Sequence, residues 1–120
     1  MKYMCLIYGE EKAWGALSEN EKGGIFSEYG KFMQEITSSG NYIAGAQLQP
    51  TATATSVRVR DGKPLMTDGP FAETHEQLGG YYLIEAKDLD EASAIAARIP
   101  SARMGTVEVR PIVDRNAGSA

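Results

Sequence analysis

One cysteine, one histidine and one tryptophan in 120 residues leave this chain little of the usual catalytic equipment. With Cys5 alone, neither an internal disulfide nor a thiolate cluster can form. Cys5 also sits in an apolar run, where a thiol is a small buried hydrophobe that keeps its proton. A zinc site needs three or four nitrogen, sulfur or oxygen ligands, and no HxH, HxxxH or CxxC spacing occurs, so no metal and no cofactor are expected. Positive charge is scarce as well. The 12 basic residues are outnumbered by 16 acidic ones, a net charge of −4, which removes the electrostatic case for nucleic acid. Long apolar runs are missing too: the opening MKYMCLIYGEE stops at Gly9 and two glutamates, short of a signal peptide or a membrane span. No phosphate-cradling glycine loop or nucleophile elbow is present. These absences lead to the expectation of a cytoplasmic protein that binds neither nucleic acid nor membrane.

The composition that remains is that of a globular chain, 42% hydrophobic and 23% charged. The length fits one domain, over residues 1–114, followed by a polar tail over 115–120. Residues 1–8 are apolar at nearly every position after Lys2 without strict alternation, as in a strand covered on both faces. A connector over 9–17 carries Trp14. Ser18 and Glu21 form a capping box that opens a helix running to about residue 39. Its stripe of Ile25, Phe26, Tyr29, Phe32, Met33 and Ile36 is set to be buried, and Gly40 ends it. Residues 41–49 read as a strand. Asp61-Gly62 between residues 56–60 and 63–67 is the signature of a hairpin with a type I′ turn. Residues 80–86 form another near-continuous apolar strand. Asp88 caps a second helix with Leu89, Ala92, Ile95, Ala96 and Ile99 inward, Pro100 stops it, and a last strand covers 106–113.

The order β-α-β-hairpin-β-α-β is the ferredoxin-like, split βαβ pattern: an α+β subunit with two helices on one face of an antiparallel sheet. Two helices cover one face only, yet two of the strands are apolar on both. A second copy packed sheet to sheet is the economical cover, which makes a homodimer the expected partner.

Between the hairpin and the strand at 80–86 runs TDGPFAETHEQLGGYY, residues 67–82, longer than an ordinary connection of roughly four to six residues. Asp68-Gly69-Pro70-Phe71, Ala72-Glu73-Thr74 and Glu76-Gln77-Leu78-Gly79-Gly80-Tyr81-Tyr82 resemble the DGPF-domain branch of the YCII-related proteins. The resemblance extends to the opening MKYMCLIYG, to residues 52–58 and to residues 107–111. It implies a dimeric α+β barrel of ferredoxin-like subunits, an undefined biochemistry, and association of some members with extracytoplasmic-function sigma factors. It also implies that a His–Asp pair proposed for the YCII branch is absent here, its two positions being held by Tyr29 and Ile99. A phenol and an aliphatic side chain cannot replace an imidazole near neutral pH.

Other residues must therefore carry any chemistry. Asp68 is the candidate for cofactor-independent acid–base work, although an Asp before Gly-Pro also commonly structures its own turn. Glu73 and Phe71 in the same loop, Tyr8, Tyr29 and Tyr82 facing the sheet, and Arg110 on the last strand are candidates for binding a small polar or aromatic molecule. Arg58 and Arg110 read as partners for charges within the protein, and His75 as a solvated loop residue. Two functions follow: a small-molecule-binding protein with a pocket near the DGPF loop, enzymatic or not, and a non-catalytic regulatory or interaction module working beside a sigma factor.

Overall fold

A computed structural model of the chain describes residues 1–115, so the expected tail lies, from residue 116 on, outside the described residues. The elements run β1 (Lys2–Gly9), α1 (Glu11–Gly15), α2 (Glu19–Ser38), β2 (Tyr42–Gln47), β3 (Thr55–Arg60), β4 (Lys63–Asp68), β5 (Gln77–Glu85), α3 (Leu89–Ala97) and β6 (Thr106–Pro111), with short 3₁₀ turns at Thr51–Thr53 and Pro100–Arg103. β2, β5, β1 and β6 form an antiparallel sheet in that order, while β3 and β4 form a separate two-stranded sheet. With the hairpin set aside, the two central strands are the first and third of four, as in a ferredoxin-like fold. The α+β, ferredoxin-like reading of the sequence holds.

Residues directly opposite one another across strands share a face. Tyr42, Ile84, Tyr3 and Pro111 make one row, and Gly45, Tyr82, Cys5 and Val109 the next on the same side. Tyr3, Cys5 and Ile84 from these rows are buried together with Phe32 and Ile36 of α2 and Ala92, Ile95 and Ala96 of α3, so this is the helix-covered side. The intervening rows, Ala44–Leu83–Met4–Arg110 and Ala46–Tyr81–Leu6–Glu108, belong to the other side, which no helix covers. It is apolar over three strands and polar at the β6 edge.

The helices begin where local chemistry dictates. The Ser18 hydroxyl accepts the Glu21 N–H at 3.1 Å and the Glu21 carboxylate accepts the Ser18 N–H at 2.9 Å. Those bonds, the one from the Ser18 backbone first, hold the Glu21 carboxyl below its usual range. Asp88 caps α3 through the Glu91 N–H at 2.9 Å. The β3–β4 turn has φ of 52° at Asp61 and 73° at Gly62, as type I′ requires. Val57 and Val59 on one hairpin strand face Met66 and Pro64 on the other, and Val57, Val59 and Met66 are all exposed. The Cα radius of gyration, 16.7 Å, exceeds the roughly 14 Å of a compact chain of this length.

Three expectations need correction. The connector at 9–17 contains α1, closed by bonds from Ala16 N–H to the carbonyls of Lys12 and Ala13. The long loop is shorter than its sequence suggests, because β4 continues through Asp68 and β5 begins at Gln77, leaving residues 69–76. Phe26 and Leu89, expected inward, are 53% and 52% exposed. Leu89 is the first residue of α3, beyond the edge of the core, and Phe26 borders a cavity. Among the described residues no helix is long and apolar enough to cross a membrane.

Two glycine substitutions test this packing in opposite directions. A Cβ on Gly105 would lie 2.1 Å from the Tyr8 carbonyl oxygen, so Gly105→Ala must displace backbone and is expected to cost at least about 1–3 kcal/mol. Gly23 in α2 meets nothing within 4 Å, and Gly23→Ala is expected to add up to about 1 kcal/mol by helix propensity alone. Urea unfolding of the two variants beside the parent measures both signs.

Candidate functional site

A cavity of about 770 Å³ lies between the helix-covered side of the sheet and α2, and α1 contributes to its wall. Ile7 and Tyr8 come from β1, Phe26, Tyr29 and Met33 from α2, Tyr42 and Gly45 from β2, Tyr81 and Tyr82 from β5, and Ser101 and Met104 from the segment before β6. Seven of the chain's ten aromatic residues line it.

Tyr82 is the hinge between cavity and core. Its ring packs edge-to-face on Phe32 at 5.3 Å and on Tyr42 at 6.3 Å. It lies over Gly45 so closely that a Cβ there would stand 2.7 Å from the ring; glycine is needed for close approach. Burial first, then the neighbouring Tyr29 and Tyr42, push the Tyr82 phenol up to about 12. It is thus a hydrogen-bonding group and no base at neutral pH. Tyr29 pairs its hydroxyl with the Ser101 hydroxyl at 2.6 Å. The helix position at which the resemblance would set a histidine therefore carries a phenol bonded to a serine.

Trp14 of α1 and Phe26 of α2 meet edge-to-face at 5.5 Å and close one end. α1 is held on both sides. The Glu11 N–H donates to the Gln77 side-chain oxygen at 2.9 Å, and the Glu11 carboxylate accepts from the Thr51 N–H at 2.8 Å and the Thr51 hydroxyl at 3.0 Å. Next to it the Glu10 carboxylate lies 2.6 Å from the His75 Nε2, an ion pair whenever His75 is protonated. His75 is otherwise solvated, its side chain 85% exposed, as the sequence led one to expect.

The candidates from sequence divide. Tyr8, Tyr29 and Tyr82 line the cavity. Asp68, Phe71 and Glu73 do not: all three are exposed, and Phe71 is 80% so. Asp68 pairs with Thr55 in the β3–β4 ladder. The turn that follows is clamped through backbone, with the Gly69 N–H on the Ala54 carbonyl at 2.7 Å and the Ser56 hydroxyl on the Gly69 carbonyl at 2.8 Å. Among the described residues nothing hydrogen-bonds the Asp68 carboxylate, so it does not cap its own turn. Arg110 stands opposite Met4 on the uncovered side of the sheet, exposed and away from the cavity. Sequence reasoning missed Trp14, Phe26, Met33, Tyr42 and Ser101 as cavity residues. A lone tryptophan in a glycine-flanked connector is the one sequence signal that singles out α1.

A family described as YCII-related domain matches residues 1–116 of the chain. An uncharacterized protein of Rhizobium meliloti (strain 1021) is 36% identical over 114 residues, covering 93% of this chain and 92% of that protein.

Burial also pushes the Cys5 thiol up to about 11. The unfolded chain releases the protons of Cys5 and Tyr82 near their ordinary values, about 9 and 10. The stability tied to these two groups is therefore complete below about pH 9 and is lost as pH rises through their folded values. Urea midpoints are expected to stay level up to pH 9 and then fall, and Tyr82→Phe should flatten the part above pH 10. A fall above pH 10 that Tyr82→Phe leaves unchanged would assign it to other groups.

Proposed function

The chain belongs to the YCII-related family, and from that premise we propose that it binds a small, largely aromatic molecule in the cavity between sheet and α2, acting as a homodimer. The observation that carries this reading is the cavity itself: about 770 Å³, within the usual range for small-molecule sites, with aromatic walls and a few fixed hydroxyl and amide groups. A cavity of that size in a chain this short is costly, since voids forfeit packing, and a ligand that fills it offsets the loss.

The homodimer is supported by the sheet side that no helix covers. Met4, Leu6, Leu83 and Tyr81 form a continuous apolar surface there, with Glu108 and Arg110 at its rim. The hairpin adds a second apolar stripe on an element that is marginal when it stands alone. A second copy packed sheet to sheet gives both a partner, as in a dimeric α+β barrel. In such an arrangement the DGPF loop and its free Asp68 carboxylate become available to the other subunit, which is the remaining support for Asp68 as an acid–base group. Exposed Phe71, with Glu73 close by in the same loop, supports instead the reading of an interaction module, with a sigma factor as one such partner. This reading takes the protein to work in the cytoplasm, as a single domain over residues 1–114.

Two experiments test these readings. A thermal-shift screen of small aromatic compounds should return ligands that raise Tm by several degrees, since saturation at a hundred times Kd adds about 2.7 kcal/mol. The same ligands should alter the fluorescence of Trp14, the chain's only tryptophan. Hits that stabilise Phe26→Ala and Trp14→Phe as well as the parent would move binding away from this cavity. For assembly, light scattering should give a dimer mass, and Leu83→Lys should give a monomer that keeps its α-helical spectrum; a parent that is monomeric at micromolar concentration overturns the dimer.

A further inference from the structure

The cavity has a charge character that its apolar walls conceal. Its lining includes two carboxylates, Glu10 and Glu11, and no lysine, arginine or histidine among the described residues. Glu10 has His75 at 2.6 Å, an ion pair whenever His75 is protonated. Glu11 is held by two neutral donors, the N–H and the hydroxyl of Thr51, and has no cation within ion-pair distance among the described residues. Its charge is thus oriented but not neutralised. Lys22 comes near, its ammonium 5.9 Å from the Trp14 ring centroid and 4.0 Å from Glu19, but it does not line the cavity.

The walls have the same sign preference. Trp14, Phe26, Tyr29, Tyr42 and Tyr82 bring aromatic rings to the lining, and the faces of such rings carry partial negative charge and attract cations. The polar groups among them are phenols, the Ser101 hydroxyl and glutamine amides, all neutral. A carboxylate or phosphate entering this space would shed water for neutral donors alone, beside an unneutralised carboxylate. A cation would exchange water for ring faces and the Glu11 charge.

Resting on the reading that the cavity binds a small molecule, we propose that it selects an organic cation, a protonated amine or quaternary ammonium on an aromatic or alkyl body, and disfavours carboxylates and phosphates. Glu11 is the counter-charge, and the rings of Trp14 and the tyrosines receive the cationic head. Glu11 is suited to this because α1 is fixed from both sides, through Gln77 and through Thr51, so the carboxylate is in place before the ligand arrives.

Three probes on one skeleton test it: 2-phenylethylamine, 2-phenylethanol and 3-phenylpropanoate, titrated at pH 7 against Trp14 fluorescence with thermal shift in parallel. The amine is expected to bind roughly tenfold tighter than the alcohol, as one cation–π contact plus a partly screened ion pair would give. The carboxylate should bind more weakly than the alcohol. In Glu11→Gln the ratio of amine to alcohol affinity should fall to the roughly two- to fivefold that the cation–π contact alone gives, and in the parent that ratio should shrink as salt rises from about 50 to 500 mM. An amine that binds no better than the alcohol, a carboxylate that binds as well as either, or a ratio indifferent to both Glu11→Gln and salt overturns the charge selection. Binding of the alcohol alone would still leave the cavity as a ligand site. Binding of none of the three, together with an empty aromatic screen, would overturn both readings.

Discussion

The contact of the Tyr82 ring with Gly45 is the constraint on which the molecule turns. β5 is a central strand, paired with β1 on one side and β2 on the other, and Tyr82 stands in its middle. Because position 45 carries no side chain, the ring can lie flat enough to reach Phe32 in one direction and Tyr42 in the other. Below it the space fills with Cys5, Ile84 and the helices; above it the space stays open as the cavity. One aromatic residue is both the roof of the core and the floor of the cavity, which ties the shape of the cavity to the stability of the sheet.

Much of the frame was legible in the sequence because the signals were local. A capping box needs only residues three apart, and Ser18 with Glu21 make it as expected. Asp61-Gly62 set the hairpin turn through φ alone, and Asp88 capped the second helix. The order of elements then left few topologies, and the ferredoxin-like one was found. What misled was equally local. Asp68 before Gly-Pro has the composition of a turn, yet the turn begins at Gly69, φ 100°, and Asp68 stays in the ladder. The helical stripe over Ile25–Ile36 was read as one buried face, whereas Phe32 and Ile36 enter the core and Phe26, Tyr29 and Met33 face a cavity. Periodicity reports which side of a helix turns inward; it does not say whether the inside is filled.

The site was harder to read for a related reason. The most recognisable stretch of the chain, the DGPF segment, is a backbone-clamped turn outside the cavity. The residues that build the cavity come from β1, α1, α2, β2, β5 and the segment before β6, spread over about a hundred positions from Ile7 to Gly105 and carrying no shared spacing. The two regions do meet. Gln77, at the end of the loop, receives the Glu11 N–H, and His75 meets Glu10. The family signature thus divides: its Asp-Gly-Pro-Phe half stays outside the cavity, while Gln77, Gly79, Gly80, Tyr81 and Tyr82 of its second half line it.

The pairing of β1 with β6 has a consequence for the order in which the molecule comes into being. Tyr3 lies opposite Pro111, and the Ile112 N–H bonds the Lys2 carbonyl at 2.9 Å, so the two ends of the described chain are neighbours. β1 waits for a strand made about a hundred residues later, and its other partner, β5, emerges only after some seventy residues. The sheet is thus assembled from contacts distant along the chain, the kind that slow folding because loop closure precedes any reward. Until β5 follows it from the ribosome, β1 is an apolar strand without a strand partner, and over that interval α2 is the element able to shield it.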